Sequence, residues 1–251
     1  MAQTSSPKLI LGNWKMNGTP ASAVELVRQI KNRLKKTSVV IGVFPPFPLI
    51  PSVIEEARSS FIQVGAQDCH AEKAGAHTGD TSASLLKEIG CRFVIVGHSE
   101  RRANHQETNM IVAAKAKAAI EAGLTAVICV GETLEEREAG KAEAVVTQQV
   151  SQSVPTNATP DNVIIAYEPV WAIGTGKVAS EKDIAAMHYV IRNSIAKTKL
   201  WPENSIAILY GGSVKAVNAG AILNTPGVDG ALVGGASLNA EEFCSIALAV
   251  L

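Results

Sequence analysis

Short apolar runs rich in Val and Ile alternate with longer amphipathic stretches along the whole chain. The runs cover residues 8–14, 38–44, 61–67, 92–97, 125–131, 162–167, 206–211 and 228–234. Most lack strict apolar–polar alternation, the pattern of strands covered on both faces. The stretches between them carry apolar residues at three- and four-residue steps, the period of a helix with one buried face. Val24, Leu26, Val27, Ile30 and Leu34 make one such stripe, and Ile184, Met187, His188, Ile191 and Ile195 another. Thr133 before a Glu-rich turn, and Ser180 before Glu181 and Asp183, are helix start signals.

Eight strand-then-helix units at this pace predict an α/β protein with a parallel sheet. An open doubly wound sheet can also hold eight strands. The even spacing favours closure into a (β/α)8 barrel, and a length of 251 residues is the size of one such barrel. No low-complexity run or composition shift divides the chain, so residues 1–251 are expected to form one domain. The Ser/Thr/Pro-containing patch at 151–160 fits a helix-to-strand loop. Residues 68–81, after the third strand, make a longer connection that is expected to protrude.

Composition narrows the function classes. The 23 basic and 23 acidic residues cancel, which removes the electrostatic case for nucleic acid or an acidic membrane as main partner. No apolar run is long enough to span a bilayer, and residues 1–8 lack the charged-then-apolar order of a signal peptide. A soluble, cytoplasmic protein is expected. Cys69, Cys91, Cys129 and Cys244 form no C-x-x-C pair and read as buried thiols. The five histidines show no ligand spacing, so a structural metal is not expected.

In parallel α/β folds, functional groups gather at the carboxyl ends of the strands. At the end of the sixth run, Glu168 is followed by Pro169, which biases the Glu168 backbone towards an extended form and aims its side chain. The apolar segment Val170-Trp171-Ala172-Ile173 then leads to Gly174 and Gly176. An apolar tip between a proline and glycines suits a lid, and drying by a lid would raise the proton affinity of the carboxylate. Glu168 therefore reads as a base. His98 precedes the helical-looking Ser99-Glu100-Arg101-Arg102, where a helix amino terminus disfavours the cation and keeps the imidazole neutral. A lone histidine is more often a satisfied core residue. Asn13 and Lys15, two apart on an extended stretch, are expected to point one way, with Trp14 and Met16 anchoring the other face. Glu100 would pair with Lys15 or move protons, or serve only as a first-turn helix acid.

Gly211-Gly212-Ser213 and Gly234-Gly235 follow the last two runs, where glycine lets backbone N–H groups approach an anion and barrels often bind phosphate. Two tight turns would explain either pair alone; both together favour phosphate. Gly174 to Ala179 also fits the G-x-G-x-x-A dinucleotide pattern, but it does not open a helix directly after a strand, so no nucleotide site is assigned to it.

These stretches, with Gly75-Ala76-His77-Thr78-Gly79-Asp80 and Cys129-Val130-Gly131-Glu132-Thr133, resemble the triosephosphate isomerase family in order and spacing over essentially the whole chain. The resemblance implies a TIM barrel without a cofactor, acting on a triose phosphate in glycolysis and gluconeogenesis. It implies Glu168 as the base, His98, Lys15, Asn13 and Glu100 as its catalytic companions, and Ile173, Gly174, Ser213, Gly234 and Gly235 as further substrate contacts. It also implies a homodimer in which loop 68–81 enters the neighbour's pocket through Thr78. There Asp80 stands where the family often has Glu, which shortens its reach towards Arg101. Three rivals have their own signatures: an aldolase-like barrel with a Schiff base at Lys15, a phosphate-binding barrel without catalysis, and an isomerase of longer phosphosugars.

Overall fold

The computed structural model describes residues 7–34, 38–173, 178–199, 201, 202 and 205–250. Its strands are β1 (Leu9–Asn13), β2 (Val40–Phe44), β3 (Ile62–Ala66), β4 (Phe93–Val96), β5 (Thr125–Val130), β6 (Val163–Tyr167), β7 (Ala207–Tyr210) and β8 (Gly230–Val233). Each lies inside one of the eight apolar runs. They pair in parallel in chain order, and β8 returns to β1 with Leu9 opposite Gly230, so the sheet is a closed barrel. Closure, which periodicity left open, is thus settled in favour of the (β/α)8 form.

Among the described residues the helices are α1 (Pro20–Arg33), α2 (Ile50–Ala57), α3 (Ala83–Glu88), α4 (Ser99–Asn104), α5 (Asn109–Glu121), α6 (Leu134–Glu138), α7 (Ala142–Ser153), α8 (Glu181–Lys199), α9 (Ala216–Leu223) and α10 (Ala240–Leu248). Thr133 caps α6 in a reciprocal box with Glu136, and the Ser180 hydroxyl accepts from Asp183 N–H at 3.1 Å at the start of α8. All five members of the 184–195 stripe are buried. In the first stripe Val27, Ile30 and Leu34 are buried, while Val24 and Leu26 lie at its half-exposed edge. The 151–160 patch begins inside the last turn of α7 rather than in a loop.

Successive strand residues feed two apolar layers. Ile10, Ile128, Ile165 and Ile208 pack outward under the helices, whereas Leu11, Cys129, Ala166 and Leu209 join Phe44, Phe93 and Ile95 in a second cluster inside the barrel. All four cysteines are free and buried, as their spacing suggested. No described helix is long and apolar enough to cross a membrane. Residues 72–80 are exposed, so the connection after β3 does protrude.

Candidate active site

The carboxyl ends of β1, β4, β6, β7 and β8 surround an open cleft of about 700 Å³ that brings together Asn13, Lys15, His98, Glu168, Ile173, Ser213, Gly234 and Gly235. Gly174 and most of the G-x-G-x-x-A match lie outside the described residues. Glu168 follows the last residue of β6 and is 2% exposed. Its Oε1 lies 2.8 Å from His98 Nε2, and its Oε2 accepts from Ser99 N–H at 2.9 Å.

His98 caps the amino terminus of α4, with Nδ1 accepting from Glu100 N–H at 3.2 Å. That bond leaves Nε2 as the nitrogen that carries the proton shared with Glu168, an assignment made from the hydrogen-bond pattern. Burial lowers the proton affinity of the imidazole, but the Glu168 carboxylate, aided by Glu100, raises it above the ordinary histidine value. The helix terminus therefore does not alone set the proton affinity of this imidazole, because a full negative charge at contact outweighs a partial dipole charge, while the acceptor bond at Nδ1 is that of the neutral ring. Glu168 shows the reverse balance. Burial raises its affinity as expected, yet His98 and Ser99 N–H hold it below the usual carboxylate range. Parked this way it is a charged, satisfied group, and it becomes a stronger base only on leaving those partners.

Two glycines make room for Glu168, one for its backbone and one for its side chain. A Cβ at Gly131 would lie 1.7 Å from the Glu168 carbonyl oxygen, and one at Gly211 would lie 2.9 Å from Glu168 Cγ. The sequence offers a tight turn or phosphate binding for Gly211; its closest constraint is the Glu168 side chain.

Lys15 departs from the extended geometry expected of it. Its φ is +53°, and Asn13 Oδ1 accepts its N–H at 3.0 Å. Alternation breaks at that residue, so Trp14 is buried while Met16 is 94% exposed and anchors nothing within the chain. The turn is held by Gln67, whose Nε2 donates to the carbonyls of Lys15 at 2.7 Å and Phe44 at 2.8 Å. Lys15 Nζ then reaches Glu100 Oε1 at 2.5 Å, the pairing the sequence suggested.

The segment after Pro169 is anchored by a residue to which no role had been given. Glu132, fully buried just beyond β5, accepts at Oε1 from Trp171 Nε1 at 2.9 Å, Tyr167 OH at 3.1 Å and Arg137 at 3.3 Å. Its backbone carbonyl accepts from Val170 N–H at 3.1 Å. Ser213 adds a further tie, its hydroxyl donating to the Ala172 carbonyl at 2.7 Å. The signal for Glu132 was its place at a strand's carboxyl end. After β8, the Gly234 carbonyl is tied back by Ser237 N–H at 2.8 Å and Ser237 Oγ at 2.7 Å, while a Cβ at Gly235 would meet nothing within 4 Å. The turn is fixed and its backbone open to the cleft.

In the protruding loop, Thr78 and Asp80 are exposed. Within one chain Arg101 does not meet Asp80: it pairs with Asp68 at 2.9 Å and Glu107 at 2.6 Å, and Asp80 lies 3.7 Å from His70.

A buried carboxylate at a barrel-strand end, an imidazole on it, an ammonium across the cleft and glycine turns after β7 and β8 make a site for moving protons on a small anion. Comparisons with known proteins agree with that arrangement. The model of the family described as triosephosphate isomerase matches residues 8–250. The triosephosphate isomerase of Xanthobacter flavus is 53% identical over 242 residues, 96% of this chain and 97% of that protein. That of Hahella chejuensis is 48% identical over 239 residues, 95% and 96% of the two chains. A crystal structure of triosephosphate isomerase from Bartonella henselae superposes with a TM-score of 0.89 at 43% identity, covering 96% of this chain and 98% of that one. The chain belongs to the triosephosphate isomerase family.

Proposed function

We propose that the chain interconverts dihydroxyacetone phosphate and D-glyceraldehyde 3-phosphate, by proton transfer through an enediolate, as one catalytic domain spanning residues 1–251. The observation that carries this reading is the buried Glu168 at the wall of the cleft, held by His98 Nε2 and Ser99 N–H. Substrate entry exchanges those partners for a carbon-bound hydrogen. The causes that hold Glu168 acidic then fall away, burial remains, and its basicity rises. By the same exchange His98 loses the charge that raises its proton affinity and donates Nε2–H as a neutral acid to the oxygen gaining charge. Lys15 and Asn13 stabilise the same oxygens, Glu100 orients Lys15, and the turns at Ser213, Gly234 and Gly235 hold the phosphate, joined by Ile173 and Gly174 when the lid closes. A positioned base supplies about 10²–10⁴-fold and each preorganised donor about 10²–10³-fold, so the groups must act together. No cofactor enters this chemistry.

The Lys15–Glu100 ion pair speaks against a Schiff base, since it occupies the Nζ that would have to attack the carbonyl. The reaction would sit in glycolysis and gluconeogenesis in the cytoplasm. The exposed Met16 beside Lys15, whose carbonyl is bonded to Gln67 next to the base of loop 68–81, favours a homodimer with Thr78 placed near the partner subunit's Asn13. In a coupled assay, Glu168→Asp should cut kcat by about 10²–10⁴-fold while a phosphate-bearing analogue still binds within a few-fold. Unchanged turnover would remove Glu168 as the base. An active monomer in sedimentation would remove the dimer.

A further inference from the structure

A second cavity, of about 260 Å³, backs onto the base. It lies between α4 and the segment that runs from β5 into α6, and Glu168 is the only described residue that lines both it and the cleft. The rest of its wall joins the apolar groups of Ala103, Cys129, Val130 and Val170 to the side chain of Arg102. Neither Met16 nor any residue of loop 68–81 lines it, so it is separate from the contacts proposed for the homodimer.

Arg102 is the unusual member of this wall. Its Nε donates to the Gly97 carbonyl at 2.9 Å and its Nη1 to Asn109 Oδ1 at 2.7 Å. Its Nη2 donates to the Cys129 carbonyl at 3.1 Å and to Ser153 Oγ at 3.2 Å. Every one of these acceptors is neutral, and no carboxylate among the described residues pairs with the guanidinium. A guanidinium also has one more N–H than these bonds use, and it belongs to Nη1. Cations withdrawn from water are ordinarily paired, and burial already lowers the proton affinity of Arg102. The two carboxylates that reach the cavity are engaged elsewhere. Glu168 is held by His98 and Ser99 N–H, and Glu136 by the Thr133 N–H and hydroxyl at the start of α6. We propose that this cavity binds a small monocarboxylate, with its charge on Arg102 and a short apolar body against Ala103, Val130 and Val170.

The walls select that class. Inorganic phosphate would leave the apolar side bare, a neutral ligand would leave the cation unpaired, and a second negative charge would face Glu168. The volume suits a ligand below drug size. Glu168 at the shared wall carries the effect into the cleft: an anion behind the Glu168–His98 pair favours its protonated form.

The site stands apart from the isomerase reading. The whole chain is titrated calorimetrically with benzoate and with neutral benzamide, at a fixed concentration of inorganic phosphate that fills the anion positions of the cleft. Phosphate binding, measured beforehand, reports on the cleft by itself. One benzoate per chain is expected, bound about tenfold more tightly than benzamide through the charge-assisted bond. Arg102→Met should remove that preference. Ala103→Trp, at an exposed position of α4, covers the cavity and should abolish benzoate binding with circular dichroism unchanged. Under the same phosphate, benzoate should move the His98 titration, followed by NMR, to higher pH. The site is overturned by equal affinities for benzoate and benzamide, by full competition between benzoate and phosphate, by undiminished binding to Ala103→Trp, or by a His98 titration that benzoate leaves in place.

Discussion

His188 links acid stability to the strand that carries the base. It lies fully buried on α8, edge-on to Tyr167 at 6.0 Å between ring centroids, one residue before Glu168. Its Nδ1 contacts the Gly227 carbonyl at 3.0 Å and must donate, which leaves Nε2 bare and buried without a partner. A second proton at Nε2 would have no acceptor. Burial accordingly pushes the pKa from 6.5 down to about 4, with Arg192 adding a smaller push the same way against the Gly227 and Asp229 contributions. The sign follows from linkage: the unfolded chain binds more protons between those values, so the stability is present above pH 6.5 and is lost as pH falls towards 4. At 1.36 kcal/mol per unit, the loss between pH 7 and pH 5 is about 2 kcal/mol. His98 acts in the opposite sense over part of this range, since its raised affinity favours the folded state at low pH. The assay is therefore a difference. Urea unfolding at fixed protein concentration, at pH 7 and pH 5, is compared between wild type and His188→Gln, both of which retain His98. The wild type should lose about 2 kcal/mol more than the variant over that interval. Equal losses would refute the reasoning.

Three further outcomes follow from named contacts. Gly211→Ala places a methyl 2.9 Å from Glu168 Cγ and 3.1 Å from the Tyr167 carbonyl oxygen, so it should cost about 1–3 kcal/mol of stability. It should also lower kcat by about tenfold or more by displacing the base; full activity would show that the carboxylate does not need this clearance. Lys115→Met leaves Asp68 and Glu107, which Lys115 Nζ now holds at 2.8 Å and 2.6 Å, to share Arg101 alone, so one buried carboxylate charge is uncompensated. A loss of about 3–5 kcal/mol in urea unfolding is expected, and a neutral result would contradict the pairing. Burial pushes the thiols of Cys69 and Cys91 up to about 12 and that of Cys244 to about 11, and holds Cys129 well above its ordinary value. A chromogenic disulfide reagent at pH 8 should thus be inert towards the native chain and count four thiols after unfolding; rapid native reaction would show an open thiol.

How much of this was legible depended on whether the cause was local. All eight strands were, because each is buried on both faces over most of its length and so writes a largely apolar run. Glu168, His98, Lys15 and the glycine pairs were legible as positions, since strand ends are where a barrel exposes chemistry. The proton affinities of Glu168 and His98 were not. A helix terminus is visible in sequence, but the contact that reverses its effect on His98 joins residues seventy apart, the 2.8 Å bond to Glu168. Lys15 failed for a related reason. Alternation predicted an extended residue, and the positive φ is imposed by Gln67 from the end of β3. Glu132 shares that character: it gains its role from partners that only the closed barrel delivers. The residues least legible in the sequence are thus those that set how the legible ones are charged and aimed. The base is a clear case. Glu168 was nameable from Pro169 and its strand end, whereas its resting state, held acidic by His98 and Ser99 N–H, needs the room that Gly131 leaves for its backbone and Gly211 for its side chain.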